Sequence, residues 1–401
     1  MNEKFRQALP IIETLKRHGH EAYFVGGAVR DFLLDRPIGD VDIATSALPQ
    51  EVISLFPKTV PVGIEHGTVM VIYKGTSYEV TTFRTEGRYE DYRRPAEVTF
   101  VRSLEEDLKR RDFTMNAIAM NERGELIDPF GGKAALEKQL IETVGAAAER
   151  FSEDALRMMR ALRFVSQLGF SLAVDTKQAI EQHGHLLEKI AIERITVEFE
   201  KMLCGPFVHQ AFPLLIETNL FLYLPGLSEK KEPLAKMSAY QWRRLHDRIE
   251  AWALFVYLLD VDPHSFLRKW KLPNHVIRDV SVCLQGLTEI REKDDWTIDR
   301  LYRYGQKYMP LIETVRATLK DESAATDELA ARLAALPIQE RKQLAVNGND
   351  VMAWFGRERG RWIAETLETI ERAVLHGEVK NEKEAIKEWL LACNQKQEKN
   401  C

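Results

Sequence analysis

The chain of 401 residues predicts an α+β fold: a small mixed α/β head followed by an all-helical remainder. Three observations predict it. Short β-rich runs alternate with short helical runs up to about residue 145, strand-like alternation then nearly disappears, and long apolar-periodic stretches take over. With 45% hydrophobic and 29% charged residues, the composition is that of a folded globular chain with enough apolar material for more than one packed unit.

The elements follow in order. MNEKFRQALPIIETLKRHGH, residues 1–20, reads as an amphipathic helix carrying charges throughout, without the apolar core of a signal peptide. AYFV, DVDIAT, TVMVIYKG and SYEVTTF read as strands, the last two joined by a tight hairpin at Lys74-Gly75-Thr76. Beyond the head, EDALRMMRALRFVSQLGF, ITVEFEKMLCG, HDRIEAWALFVYLLD and ETLETIERAVLHG repeat apolar residues at helical spacing. Pro225-Gly226, Pro273, Pro310 and Pro337 punctuate these helices. The division expected is a head over 1–147, a neck over 148–222, a body over 223–300 and a tail over 301–401.

A net charge of -5 argues against nonspecific coating of nucleic acid, although a local basic groove can sit inside an acidic total. Cys204, Cys283, Cys393 and Cys401 have neither metal-ligand spacing nor a framework pattern, so reduced thiols in a cytoplasm fit them best. No stretch has the length and apolar character of a membrane span.

GGAVRDFLLDRPIGDVDIAT, Gly26 to Thr45, carries the first chemistry. Asp40 and Asp42 stand at i and i+2 of a β-type run, a spacing that sends both carboxylates to one face. Such a pair suits a divalent ion, and oxygen ligands at this density suit Mg2+, which takes its remaining ligands from water and substrate phosphates. Gly26-Gly27 permits a tight turn into a helix whose first N–H groups favour a phosphate, with Arg30 and Asp31 in its opening turn. Read alone, the segment is also compatible with a glycine turn and a solvated acidic strand end. Glu79, on a strand able to pair beside that of Asp40, is a candidate third carboxylate or general base. Further on, Arg157, Arg160 and Arg163 follow Glu153 and Asp154 at steps of three. That spacing lines one helix wall with guanidiniums. Cytosine and adenine each offer an amino donor beside a ring-nitrogen acceptor, so a carboxylate at Asp154 and a donor fork at Arg157 complement them and oppose uracil and guanine. A solvated ion-pair helix is the other reading of the same residues. His246-Asp247 reads as an exposed helix turn, and basic clusters at Lys230 to Arg248, Arg268 to Lys271 and Arg357 to Arg361 read either as RNA-phosphate contacts or as solvated faces.

GG followed by R, D and a GDxD strand resembles the polymerase-β-like nucleotidyltransferase superfamily, in the branch of bacterial class II tRNA nucleotidyltransferases (CCA-adding enzymes) and bacterial poly(A) polymerases. LKRRDFTMNAIA resembles the second motif of that family, DPFGG its third and EDALRMMRALRF its nucleotide-selecting helix. The resemblance implies addition of CCA to the 3' end of tRNA from CTP and ATP, with pyrophosphate released. It further implies two-metal catalysis at Asp40 and Asp42, beside which Glu79 stands as the candidate third carboxylate or general base. It assigns Gly27, Arg30, Arg111, Asp112, Asp154, Arg157, Arg160 and Arg163 to the nucleotide, with Arg111 in the triphosphate or base pocket, Asp112 on a ribose hydroxyl and Asn116 orienting its neighbours. In the family a loop corresponding to FRTEGRYEDYRRPAEVTF, Phe83 to Phe100, accompanies the switch from C to A addition. The resemblance also allows a homodimer. CC-only addition, poly(A) polymerisation and noncatalytic RNA binding stand as the alternatives. PVGIEHGTVMV speaks against the poly(A) polymerases, retention of both aspartates against the noncatalytic reading, and the loop against CC-only addition.

Overall fold

Phe5, Ala8, Ile11, Ile12 and Leu15 are all buried, forming the inner stripe of helix α1 (Glu3–Arg17). The structure is a computed structural model that describes residues 2–86, 98–293 and 295–398. Asn2 caps α1 by accepting the Lys4 N–H at 3.0 Å, and the Phe5 ring meets that of Phe24 at 4.8 Å, which fixes the helix on one face of a sheet. Its strands are β1 (Ala22–Val25), β2 (Asp42–Thr45), β3 (Thr59–Pro61), β4 (Thr68–Tyr73) and β5 (Thr76–Thr82), joined by β8 (Ala119–Met120) and β9 (Leu126–Ile127). A separate ribbon pairs β6 (Arg84–Glu86) with β7 (Val98–Phe100). The seven-stranded order is β3-β4-β5-β2-β1-β8-β9.

AYFV, TVMVIYKG and SYEVTTF form strands as expected, while DVDIAT does so only from Asp42. Lys74 and Gly75 take φ of 48° and 84°, the left-handed pair a two-residue hairpin needs, and β4 and β5 pair antiparallel on either side of them. β2 and β5 run parallel with Ile43 opposite Val80, so the Glu79 strand does lie beside that of Asp42. The other sheet face is closed by a cluster of Val25, Ala44, Phe83, Leu108 and Ala119, to which α4 (Leu104–Lys109) contributes Leu104 and Leu108. Short helices α2 (Gly27–Leu33), α3 (Pro49–Leu55) and α5 (Gly132–Glu137) complete the head. The loop expected over Phe83 to Phe100 lies largely outside the described residues.

The long helical run EDALRMMRALRF is not one helix. α6 (Ala147–Glu153) stops at Asp154, whose backbone is extended (φ -135°, ψ 100°), and α7 (Leu156–Leu168) begins two residues later. The reason is local: the Asp154 carboxylate accepts the Leu156 N–H at 3.1 Å, and this side-chain bond competes with continuing the helix. Gly169, at φ 73°, ends α7. Next come α8 (Val174–His183), α9 (Ile192–Leu203), α10 (Val208–Glu217) and α11 (Lys231–Lys236).

Two compact units result: Met1–Arg243 with Phe266–Leu272, and Arg244–Ser265 with Pro273–Cys401. The second unit holds α12 (Arg248–Leu259). α13 (Pro263–Lys269) passes from this unit into the first, and α14 (Asn274–Lys293) returns to it. The remaining helices are α15 (Ile298–Lys320), α16 (Thr326–Ala334), α17 (Gly348–Phe355), α18 (Trp362–Leu375) and α19 (Lys383–Glu398). His246-Asp247 proves to be a helix start: Asp247 caps α12 by accepting the Ile249 N–H at 2.6 Å, while Glu250 reaches back to it. Pro310 does not end a helix. The break in this run falls at Gly305 (φ 55°, ψ -163°), five residues before it. Val351, Ile370, Val374 and Ile386 centre a core within this unit. Among the described residues, no helix is long and apolar enough to cross a membrane.

Candidate active site

The end of β1 builds the site. Val25 pairs with Asp42, and the next residue, Gly26, turns at φ 72° and ψ -142° to start α2. A Cβ on Gly26 would stand 3.3 Å from Arg111 Nη1 and 3.5 Å from Asp42 Oδ2. Glycine therefore lets three groups meet: the first amides of α2, a carboxylate and a guanidinium.

A cavity of about 1000 Å3 opens over this point. Arg30, Arg84, Arg110, Arg111, Arg157, Arg160, Arg163, Arg194 and Lys201 line it against four acids, Asp42, Glu65, Asp112 and Asp154. Nine cationic groups facing four anionic ones leave an excess that suits a polyanion such as a triphosphate. Three of the guanidiniums ring one aromatic, with Arg30, Arg160 and Arg163 at 5.1, 5.6 and 4.3 Å from the Phe164 centroid.

A polar chain crosses the floor. Arg30 pairs with Asp31 at 2.9 Å and donates to Asn116 Oδ1 at 2.8 Å. Asn116 donates to Asp112 at 3.0 Å, and Arg160 Nε donates to the other Asp112 oxygen at 2.7 Å. Burial alone would push the Asp112 carboxyl up, but Arg160, Asn116 and Arg157 outweigh it and hold the group well below the ordinary carboxylate range. Asn116 thus links Arg30 to Asp112.

Asp42 has the opposite balance. Burial, with Glu79 adding, Arg111 opposing and Asp40 adding, pushes its carboxyl up to about 6. Asp40 and Glu79 are exposed and do not line the cavity; they act on Asp42 through space. The strand proper begins at Asp42, so the expectation of two aspartates within one strand is corrected: Asp40 sits in the connection before it. Among the described residues, no group of three or more His, Cys, Asp or Glu side chains is gathered so as to hold a metal on its own. Asp42, which lines the cavity, is a hard oxygen donor of the kind a divalent ion takes alongside water and phosphate oxygens.

Gly27, Arg30, Arg111, Asp112, Asp154, Arg157, Arg160 and Arg163 all line the one cavity. Asp154 and Arg157 are joined through the backbone, the Arg157 N–H donating to the Asp154 carbonyl at 3.0 Å. Asp154 pairs with Arg194 at 3.1 Å, while Arg157 is held by Glu153 at 2.7 Å and by the Arg110 carbonyl at 3.1 Å. Arg163 pairs with Glu198 at 2.9 Å; burial, with Arg160 adding and Glu198 opposing, pushes it down to about 10. Sequence reasoning missed Arg194 and Glu198, four apart on one face of α9, and Asp107, Arg110 and Arg84. DPFGG stands behind the site: Asp128 accepts the Gly132 and Lys133 N–H groups at 2.7 and 2.8 Å, fixing the start of α5.

Residues 22–142 match the family described as Poly A polymerase head domain, 169–231 that described as Probable RNA and SrmB-binding site of polymerase A, and 243–390 that of tRNA nucleotidyltransferase domain 2. The chain is 65% identical over 401 residues to the CCA-adding enzyme of Anoxybacillus flavithermus and 59% identical over 404 to that of Geobacillus thermodenitrificans, with 100% of both chains covered each time. Among solved structures, the crystal structure of the Bacillus stearothermophilus CCA-adding enzyme in complex with CTP superposes with a TM-score of 0.93 at 54% identity, covering 100% of each chain. The Thermotoga maritima CCA-adding enzyme complexed with tRNA shares the fold at a TM-score of 0.60 and 23% identity.

Proposed function

This chain belongs to the CCA-adding enzymes, a family of tRNA nucleotidyltransferases, and on that premise we propose that it adds CCA to tRNA 3' ends without a template, drawing on CTP and ATP in the cavity at the end of β1. The observation that carries this reading is the meeting of Asp42, Arg111 and the α2 amides at Gly26, beneath a wall of guanidiniums. In the reaction an RNA 3' oxygen bonds to the α-phosphorus of the nucleotide, the bond from that phosphorus to the bridging oxygen breaks, pyrophosphate leaves, and the hydroxyl proton goes to solvent.

The residues divide that work. The amide of Gly27 and the Arg30 and Arg111 guanidiniums bind triphosphate oxygens and steady charge as pyrophosphate departs. Asp112, kept ionised by Arg160, accepts from a ribose hydroxyl. Asp154 and Arg157 face the base edge, the first accepting from an amino group and the second donating to a ring nitrogen. Arg160 and Arg163 hold that wall through Asp112 and Glu198. Asp42, with Asp40, would hold magnesium, which when bound polarises the phosphate and lowers the barrier to deprotonating the attacking hydroxyl. Glu79, on the neighbouring strand, keeps that corner negative. Head 1–147, neck 148–222, body 223–300 and tail 301–401 remain the working division, supported at its first boundary by the start of α6 at Ala147. A cytosolic location is supported by the free thiols of Cys283 and Cys393.

Incorporation of labelled CTP and ATP into tRNA lacking its 3' CCA tests the reading. Asp42→Ala should abolish both additions while RNA binding persists, and incorporation equal to that of the unaltered enzyme would reject it. The choice of base needs Asp154→Asn rather than alanine, because the carboxylate also caps α7 and its loss would destabilise the helix by about 1 kcal/mol. UTP discrimination should relax by about ten- to a hundredfold.

A further inference from the structure

We infer that Asp107 is a positioning residue for the nucleotide, acting through Arg110 and Arg111; the inference rests on the nucleotide reading of the cavity. Asp107 lies on the last turn of α4 with its side chain 1% exposed, and it does not line the cavity itself. One carboxylate oxygen accepts from Arg110 at 3.0 Å (Nε) and 2.8 Å (Nη2), and also from the Arg84 backbone N–H at 3.4 Å. The other accepts from Arg111 Nη2 at 3.2 Å. Both arginines line the cavity, and Arg111 Nη1 also donates to the Asn116 carbonyl at 3.4 Å.

Two adjacent arginines repel each other, and each has several rotatable bonds. Left to themselves they would splay toward water, and a ligand would have to gather them against that repulsion and that entropy. A buried carboxylate three and four residues upstream removes both obstacles before any ligand arrives. Arg110 and Arg111 outweigh the desolvation of Asp107, so its carboxyl stays below the ordinary range and remains charged at neutral pH. The consequences reach both ends of the cavity. Arg111 Nη1 is the group beside the Gly26 turn and Asp42, and the Arg110 carbonyl accepts from Arg157. Asp107 therefore sets the phosphate end directly and the base end through the backbone that follows it.

The test is equilibrium binding of CTP by calorimetry in a double-mutant cycle, run on the full chain below the melting temperature of every variant. Asp107→Asn keeps the shape but leaves one acceptor oxygen for two guanidiniums, and it should weaken CTP by about ten- to a hundredfold. In the background R110A/R111A the same change should have no further effect, because the groups it positions are gone. Equal weakening in both backgrounds overturns the inference, since a general structural role would act regardless of the arginines. Where the asparagine variant does not fold, Asp107→Glu keeps both oxygens but displaces them by one methylene. A loss confined to the unaltered background then supports the inference, and a loss in both overturns it. If R110A/R111A alone binds CTP as tightly as the unaltered chain, the nucleotide reading of the cavity fails, an outcome distinct from additivity.

Discussion

Asp112 joins α7 to the 3₁₀ turn Thr114–Asn116: Arg160 on one oxygen, Asn116 and the Phe113 N–H on the other. A fully paired, buried carboxylate stabilises only while it is ionised. Its folded value lies below the ordinary 3.8, so its contribution is complete above that pH and is lost as pH falls through the folded value. Asp112→Asn should therefore destabilise by about 3 kcal/mol at pH 7, because Arg160 is left without its partner charge. The gap in urea midpoint between variant and unaltered chain should hold steady from pH 7 to 5 and narrow below 3.8. A gap that stays constant down to the lowest pH at which both fold would mean that charge pairing is not its source. At this scale much was legible in advance, since every residue expected to touch the nucleotide lines one cavity. The partners were not. Glu198 reads as one more acid on an amphipathic helix, and only the packing of α9 on α7 reveals that it neutralises Arg163.

Elements carry the site by where they start and stop. The hairpin at Lys74-Gly75 and the turn at Gly26 were readable because a left-handed backbone demands particular residues. The break between α6 and α7 was not, because Asp154 reads as one more charge in a periodic helical run until its side chain is seen bonding the backbone ahead of it. At that break the Asp154 side chain reaches Arg194 on α9. Close approach of elements is likewise invisible in sequence. A Cβ on Gly132 would fall 2.2 Å from the Thr114 carbonyl oxygen and 2.6 Å from Ile118 Cγ1, so α5 lies flush against the turn that carries Asn116. Gly132→Ala should push that turn away and destabilise the head by about 1–3 kcal/mol. The arrangement also predicts weaker CTP binding in the same variant, because Asn116 links Arg30 to Asp112. Calorimetry and a melting curve on one sample check both effects, and an unchanged melting temperature would show that the backbone yields freely at this point.

The whole molecule divides into two units, and the cavity proposed to bind the nucleotide lies entirely within one of them. Every residue lining the cavity belongs to Met1–Arg243, whereas the tRNA nucleotidyltransferase domain 2 match covers 243–390. A ligand stabilises what it binds by RT ln(1 + [L]/Kd), about 2.7 kcal/mol at a hundredfold excess over Kd. Amide exchange resolves where that stabilisation goes. With CTP at such an excess, peptides covering 26–45, 104–119 and 150–201 should exchange roughly a hundredfold more slowly wherever their exchange requires opening of the site. Peptides from 273–398 should be unchanged. If the second unit holds the RNA through exposed cations such as Arg361, a tRNA lacking its terminal CCA should add protection in that second set, and the added protection should fade as salt rises through counterion release. Slowing of 273–398 by CTP alone would mean that the nucleotide acts on the second unit directly, and the assignment of nucleotide binding to the first would have to be withdrawn.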